Sequence, residues 1–349
     1  MDVVNKVAEH GPRSSSPLQP PPFHTFHPEV HGTTGNIGIL KSTILPSFSL
    51  YSSLSVATFV AAKKTDRVEL KDWLWPSSQV LNAWWSAVGR DMYKNNVTFY
   101  AAWGKLSWTE KLLLGSVTVW GMRLFARIAR RSVVRGKDDS RYEALKKDPG
   151  FWRTALFKLF LPEAAILSII SLPFTLPFNW SGSTVSLGAE CLNKIRAFGV
   201  GLFSAGFALE VMSDTQLELH REERNDLCRD GVWSLVRHPN YLGDTLVHIS
   251  FAVLNLANSF NPVVFLGPLS NYLFLRFVGG DKQTEASQEE RYQASDTEKL
   301  TQLREWQREK NSFWPSLRDL VSPWALAVYS CGFMGAFAEE VVRTRYNLS

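Results

Sequence analysis

Residues 231–244 read GVWSLVRHPNYLGD, a segment that sets an arginine, a histidine, an asparagine, a tyrosine and an aspartate around one proline. Pro239 suits the first turn of a helix, where its missing N–H would have no intrahelical partner in any case. From there Asn240, Asp244 and His248 recur at i, i+4 and i+8, so three polar groups share one face of an otherwise apolar helix, with Tyr241 and Thr245 beside them. Lipid does not tolerate such a stripe; it must face protein, water or a ligand. One reading is a hydrogen-bond cluster between helices. The other is a polar slot for a large, anionic, water-soluble cofactor: Arg221, Arg224, Arg237 and His238 carry the charge to receive phosphates or a carboxylate, and Asn240 and Asp244 the groups to bind amides or hydroxyls. Glu210 and Asp214, also i, i+4, end the preceding apolar run and either face the same slot or pair with arginines of the loop.

The elements that must position these groups are apolar blocks. The chain has 349 residues, 45% of them hydrophobic, including 13 Trp and 22 Phe. Its mean hydropathy of -0.10 hides their segregation. Apolar segments cover 37–62, 74–90, 108–126, 154–178, 196–213, 241–260, 262–279 and 323–338. Backbone groups in lipid must be satisfied within each segment, so the expected fold is an all-α polytopic membrane bundle of about seven or eight helices. Residues 1–36 are rich in Pro, Ser and His and are expected to be a disordered tail. Residues 37–322 then form the membrane-embedded domain, and 323–349 a C-terminal hydrophobic segment and tail.

Charge orients the bundle. The loops 63–73, 127–153, 214–240 and 280–322 hold most of the Lys and Arg, whereas 91–107 and 179–195 hold few. The positive-inside rule makes the first set cytosolic, which places the slot on the cytosolic face. Sequons beginning at Asn96, Asn179 and Asn347 fall on the other side, as an endomembrane protein would have them. This topology also accounts for the net charge of +5, since the basic residues flank apolar blocks instead of forming the aromatic-interleaved stripe of a nucleic-acid binder. The 3 cysteines, Cys191, Cys228 and Cys331, match neither a disulfide framework nor a zinc spacing. His24, His27 and His31 lie among prolines that oppose the helix a metal site at that spacing needs, and no metal is expected.

RHPNYLGD, with Gly231 and Trp233 before it, resembles the signature of the steroid 5α-reductase C-terminal-domain-like membrane family, which is related to sterol C=C reductases and, distantly, to isoprenylcysteine carboxyl methyltransferases. The resemblance extends to WGMRL at 120–124, RYEALKKDPGFW at 141–152, GFALEVMSDTQ at 206–216 and FWP at 313–315. It implies NADPH bound at the cytosolic face by Arg237, His238, Asn240, Tyr241 and Asp244, supported by Gln216, Arg221 and Glu285. It also implies a lipidic substrate, membrane lipids as partners and the endoplasmic reticulum as location. Hydride would pass to a C=C bond of a sterol-like or acyl molecule, with Tyr241 or His248 supplying a proton or polarising a carbonyl. Leu217 and His220 depart from the lysine and aromatic residue usual in relatives, and Trp306 stands where a tyrosine is more usual. The alternatives are an S-adenosylmethionine-dependent membrane methyltransferase and a catalytically inactive lipid-binding or structural member.

Overall fold

The structure, a computed structural model, describes residues 38–179, 188–224, 226–258 and 261–348. The tail expected over 1–36, with its histidines, lies outside the described residues, as do parts of the sequons at Asn179 and Asn347. Every regular element among the described residues is helical.

Helix α1 (Leu45–Thr65) has Pro46 in its first turn and Lys63 and Lys64 in its last, where they complement the helix dipole before Asp66 leaves at φ 52°. Helix α2 (Leu70–Trp84) runs through a widened turn, Trp85–Gly89, into Arg90–Asn95. The reciprocal cap of Ser107 and Glu110 starts α3 (Trp108–Arg135), which stops at Gly136, φ 67°. A short α4 (Ser140–Lys146) follows. The helical stretch Phe151–Ile170, whose second part is α5 (Leu161–Ile170), then bends by 58° into Leu172–Phe178. Pro173 and Pro177 at this break remove helical N–H donors. Next comes α6 (Ala189–Glu223); its 35 residues make a rod of about 52 Å, longer than a hydrocarbon core of about 30 Å. The bundle is completed by α7 (Pro239–Leu256), α8 (Leu266–Phe277), α9 (Asp281–Ser295), α10 (Thr297–Glu309) and α11 (Pro323–Arg345).

Among the described residues five helices are long and apolar enough to cross a membrane: Leu40–Thr65, Trp108–Arg135, Ala189–Glu223, Pro262–Ser295 and Pro323–Arg345; the bent pair makes a sixth when counted as one span. Their outward faces are apolar, with Phe333, Met334 and Phe337 of α11 and Leu269 and Leu273 of α8 exposed, as a lipid-facing surface requires. The chain is a polytopic membrane protein. Two helices expected as spans, over 74–90 and 241–260, exist as α2 and α7 but are not apolar enough to qualify. They are interior helices: α2 buries Ser78, Gln79 and Asn82, and α7 buries Asp244, Thr245, His248 and Asn255, so other helices surround them and polar groups find partners. The charged stretch 280–312 folds as α9 and α10, and α10 sinks Leu300, Leu303 and Trp306 into the bundle, the last two in the cluster that holds Val232 and Trp233.

Two packings are close enough to fix the helices they join. Helices α6 and α7 cross at Gly206 and Gly243, where a Cβ on Gly206 would sit 2.8 Å from the Gly243 carbonyl oxygen, and one on Gly243 2.7 Å from that of Gly206. Nothing larger than glycine fits on either side. At the other packing, the Asp138 carboxylate accepts from the backbone N–H groups of Val68 and Glu69, both at 3.0 Å, and buried Glu69 receives Arg67, Arg135 and Ser132. This lock joins the start of α2 to the end of α3.

Asp139 ties α4 to the same lock through Arg135, at 2.7 Å, and Arg141, at 3.1 Å. Burial opposes its charged form, but the two guanidiniums outweigh burial and hold the carboxyl well below the usual carboxylate range. A carboxyl depressed in the folded state contributes stability above its unfolded value, about 4, and loses that contribution as the pH falls below it. The melting temperature of the wild type should therefore exceed that of Asp139→Asn at neutral pH and converge on it as the solution is acidified below about pH 4.

Candidate functional site

Helices α3 and α6 run side by side and are joined by a ladder of ion pairs. Arg123 Nη1 bonds Glu210 Oε1 at 2.7 Å and also reaches Asp214; Arg127 Nε lies 2.8 Å from Asp214 Oδ2, and its Nη1 3.2 Å from Glu218 Oε2. Glu210 and Asp214 are thus paired by α3, not by the loop, and both also line a cavity of about 190 Å³. Other walls of that cavity come from Lys71, Asp72 and Trp75 of α2, Leu124, Arg127, Ile128 and Arg131 of α3, Asn240, Tyr241 and Asp244 of α7, and Phe274 and Leu275 of α8.

The polar stripe of α7 divides by turn. Its inner part is a cluster between helices: Asp244 Oδ1 accepts from Trp120 Nε1 at 3.0 Å and Oδ2 from Asn271 Nδ2 at 2.8 Å. His248 is fully buried, 3.0 Å from the Asp244 carbonyl oxygen and 3.4 Å from Gln79 Oε1, and does not border the cavity. Its outer part faces the cavity. There Asn240 Oδ1 is buried without a hydrogen-bond partner among the described residues, and the Tyr241 hydroxyl meets Thr284 Oγ1 at 3.1 Å. The stripe is thus a cluster between helices over its inner turn and borders a cavity over its outer turn.

Arg237 and His238 lie next to the cavity in a separate clasp. Arg237 Nε and Nη2 grip the two oxygens of Glu285 at 2.9 and 3.0 Å, and its Nη1 donates to the carbonyls of Gln307 and Lys310. His238 Nε2 is 2.7 Å from Glu285 Oε1, and its ring stacks on Tyr241 with centroids 5.3 Å apart. These two cations are thereby engaged within the chain and hold the segment before α7 onto α9 and α10. Arg237→Ala should loosen that segment and lower stability by about 2 kcal/mol, measured by thermal unfolding in detergent, because charge-assisted bonds and two carbonyl partners go together. Gln216 accepts from the backbone N–H of Val232 at 2.8 Å and packs under Gly231, whose φ of 67° leaves no room for a side chain there. It shapes the turn that leads to Arg237. Arg221 stands exposed at the end of α6 without an ion pair among the described residues.

A second group of wall residues was not picked out from the sequence. Lys71 Nζ binds Glu163 Oε2 at 2.8 Å; Asp72 accepts from Arg141 at 2.8 Å and from the Tyr142 hydroxyl at 2.7 Å. The signal for them was Glu163 inside the apolar run LPEAAIL, because a charge within a membrane segment needs a partner.

A family profile described as "Protein of unknown function (DUF1295)" matches residues 58–304, which run from the second half of α1 into α10. The chain belongs to the DUF1295 family. No curated protein and no solved structure gives a significant match. The part matching DUF1295 contains every residue that lines the cavity and the side chains of the Arg237–His238–Glu285 clasp.

Proposed function

We propose that the chain is an NADPH-dependent reductase of a C=C bond in a lipidic substrate, sterol-like or acyl, with its cavity on the cytosolic side of the endoplasmic reticulum membrane. The observation that carries this reading is the buried, unpartnered Oδ1 of Asn240 on the wall of a cavity that also offers apolar surface from Trp75, Leu124, Ile128 and Phe274. An acceptor in that setting calls for an N–H donor on a flat, partly apolar group, and the carboxamide of a nicotinamide ring is one. About 190 Å³ is below the roughly 300–1,000 Å³ of pockets that bury whole drug-sized ligands, so the cavity suits the ring end alone.

The resemblance of RHPNYLGD and its surroundings to the steroid 5α-reductase-like family supports the same choice of cofactor. When bound, NADPH supplies a hydride. Of this chain's residues, Asn240 would bind the carboxamide, Asp244 would hold α7 against Trp120 and Asn271, and Tyr241 has a hydroxyl at the cavity from which a proton can be given. His248, packed behind Asp244, would position that helix. The basic ends of α1 and α3, with Lys63, Lys64, Arg130, Arg131 and Arg135, support the cytosolic assignment, and counting α2 and α7 as interior crossings brings the six apolar spans to eight.

The test is the stability of the detergent-purified protein with NADPH, NADH or S-adenosylmethionine. A ligand that binds only the folded protein stabilises it by about 2.7 kcal/mol at a hundred times its dissociation constant. NADPH is expected to raise the melting temperature of the wild type and not that of Asn240→Leu. A response to S-adenosylmethionine alone would transfer the cavity to a methyltransferase, and no response to any of the three would leave a non-catalytic lipid-binding member.

A further inference from the structure

The ion-pair ladder between α3 and α6 climbs in register from Arg123–Glu210 to Arg127–Asp214 and then to Glu218, which receives Arg127 and, at 3.6 Å, Arg130. One turn further the pattern fails. The next residue in line on α3 is Arg131; among the described residues Glu222, next in register on α6, makes no ion pair with it, and the exposed end of α6 presents Arg221 beside it. Helix α9 adds a third cation, Arg291, whose guanidinium lies over the ring of its neighbour Tyr292 at 5.1 Å, and Tyr292 packs against the apolar cluster that Leu217, one turn before Arg221, also joins. Arg127, Arg131 and Arg291 all lie within electrostatic range of Arg221. Arg131, Arg221 and Arg291 are exposed, and none makes an ion pair among the described residues. Arg131 also lines the cavity.

Three like charges brought together by three helices repel unless an anion joins them. Guanidinium forks match phosphate oxygens two at a time. The cavity takes only the ring end of a dinucleotide, so the phosphates of that ligand have to lie outside it, and Arg237 and His238 are already gripped by Glu285. We infer that Arg131, Arg221 and Arg291 form a phosphate-binding site at the mouth of the cavity, which receives the phosphates of the ligand and favours NADPH over NADH. The dinucleotide identity rests on the reductase reading; the phosphate site rests on the three exposed arginines that make no ion pair among the described residues.

Binding of inorganic pyrophosphate, NADPH and NADH to the full chain in phosphatidylcholine nanodiscs, measured by calorimetry, tests this with Arg131→Gln and Arg291→Gln, surface changes that leave the core intact. Each variant should weaken pyrophosphate and NADPH by about tenfold and narrow the preference over NADH. If NADPH binds the wild type and both variants equally, the site is wrong and the reductase reading stands. If pyrophosphate binds and is weakened by the variants while NADPH does not bind, the site stands and the reductase reading falls. Loss of pyrophosphate binding when phosphatidic acid is added to the nanodiscs would give the arginines to a lipid headgroup and overturn the dinucleotide assignment. Absence of binding by all three probes would overturn both.

Discussion

Gly206→Val is expected to prevent assembly of the bundle. The added Cβ alone would lie 2.8 Å from the Gly243 carbonyl oxygen, 2.8 Å from the Leu246 Cβ and 2.9 Å from the Val247 nitrogen, none of which can turn aside as the tip of a flexible side chain would. Relief requires α6 and α7 to separate along the crossing, so the cost exceeds the about 1–3 kcal/mol of ordinary overpacking. The same separation pulls Glu210 away from Asn240 and Asp244 and opens the cavity whose walls they form. The variant should run as an aggregated species on size exclusion in detergent and show no NADPH response. Gly115→Ala, where an added Cβ has nothing within 4 Å, serves as the control and should behave as wild type. A Gly206→Val protein that melts within a few degrees of wild type would mean that α6 and α7 do not meet closely at this crossing.

What could be read from the chain beforehand was local. The stripe Asn240, Asp244, His248 needs only the helical repeat to be recognised, and the helix is there with the stripe turned inward. The apolar blocks likewise announce their own helices. What the stripe touches was not legible, because Trp120 lies 124 residues from Asp244 and Gln79 169 from His248. Hence a single face appeared to demand one explanation, when its inner turn is a helix-to-helix cluster and its outer turn borders a cavity. The two missing apolar spans have the same origin. Hydropathy measures what lipid would accept, and α2 and α7 are accepted by other helices instead. Lys71 and Glu163, 92 residues apart, meet only in the folded bundle. The resemblance implied Glu285 as part of the site; its place against Arg237 and His238 is a matter of geometry that no motif carries.

Arg123→Leu should be the most damaging change that removes a side chain from the interior without adding bulk. Arg123 is the partner of Glu210, whose carboxylate is buried at 3% exposure and already has one oxygen without a hydrogen bond. Asp214 keeps Arg127 when Arg123 is gone, but Glu210 keeps nothing comparable. Breaking a buried pair by removing one member costs about 3–5 kcal/mol, because the remaining charge is stranded where water cannot reach it. The single variant should melt well below wild type in detergent. If the stranded charge is the cause, Arg123→Leu combined with Glu210→Gln should recover most of the loss, and the coupling between the two sites should be large and of the sign that marks an attractive pair. Equal melting of the single and double variants would place the cost elsewhere, in the lost packing of the arginine stem against α6. The double variant also keeps Asn240, Arg131 and Arg221 in place. Retention of the NADPH response there would make the Arg123–Glu210 pair a strut that holds the wall of the cavity, with the ligand contacts made by the residues around it.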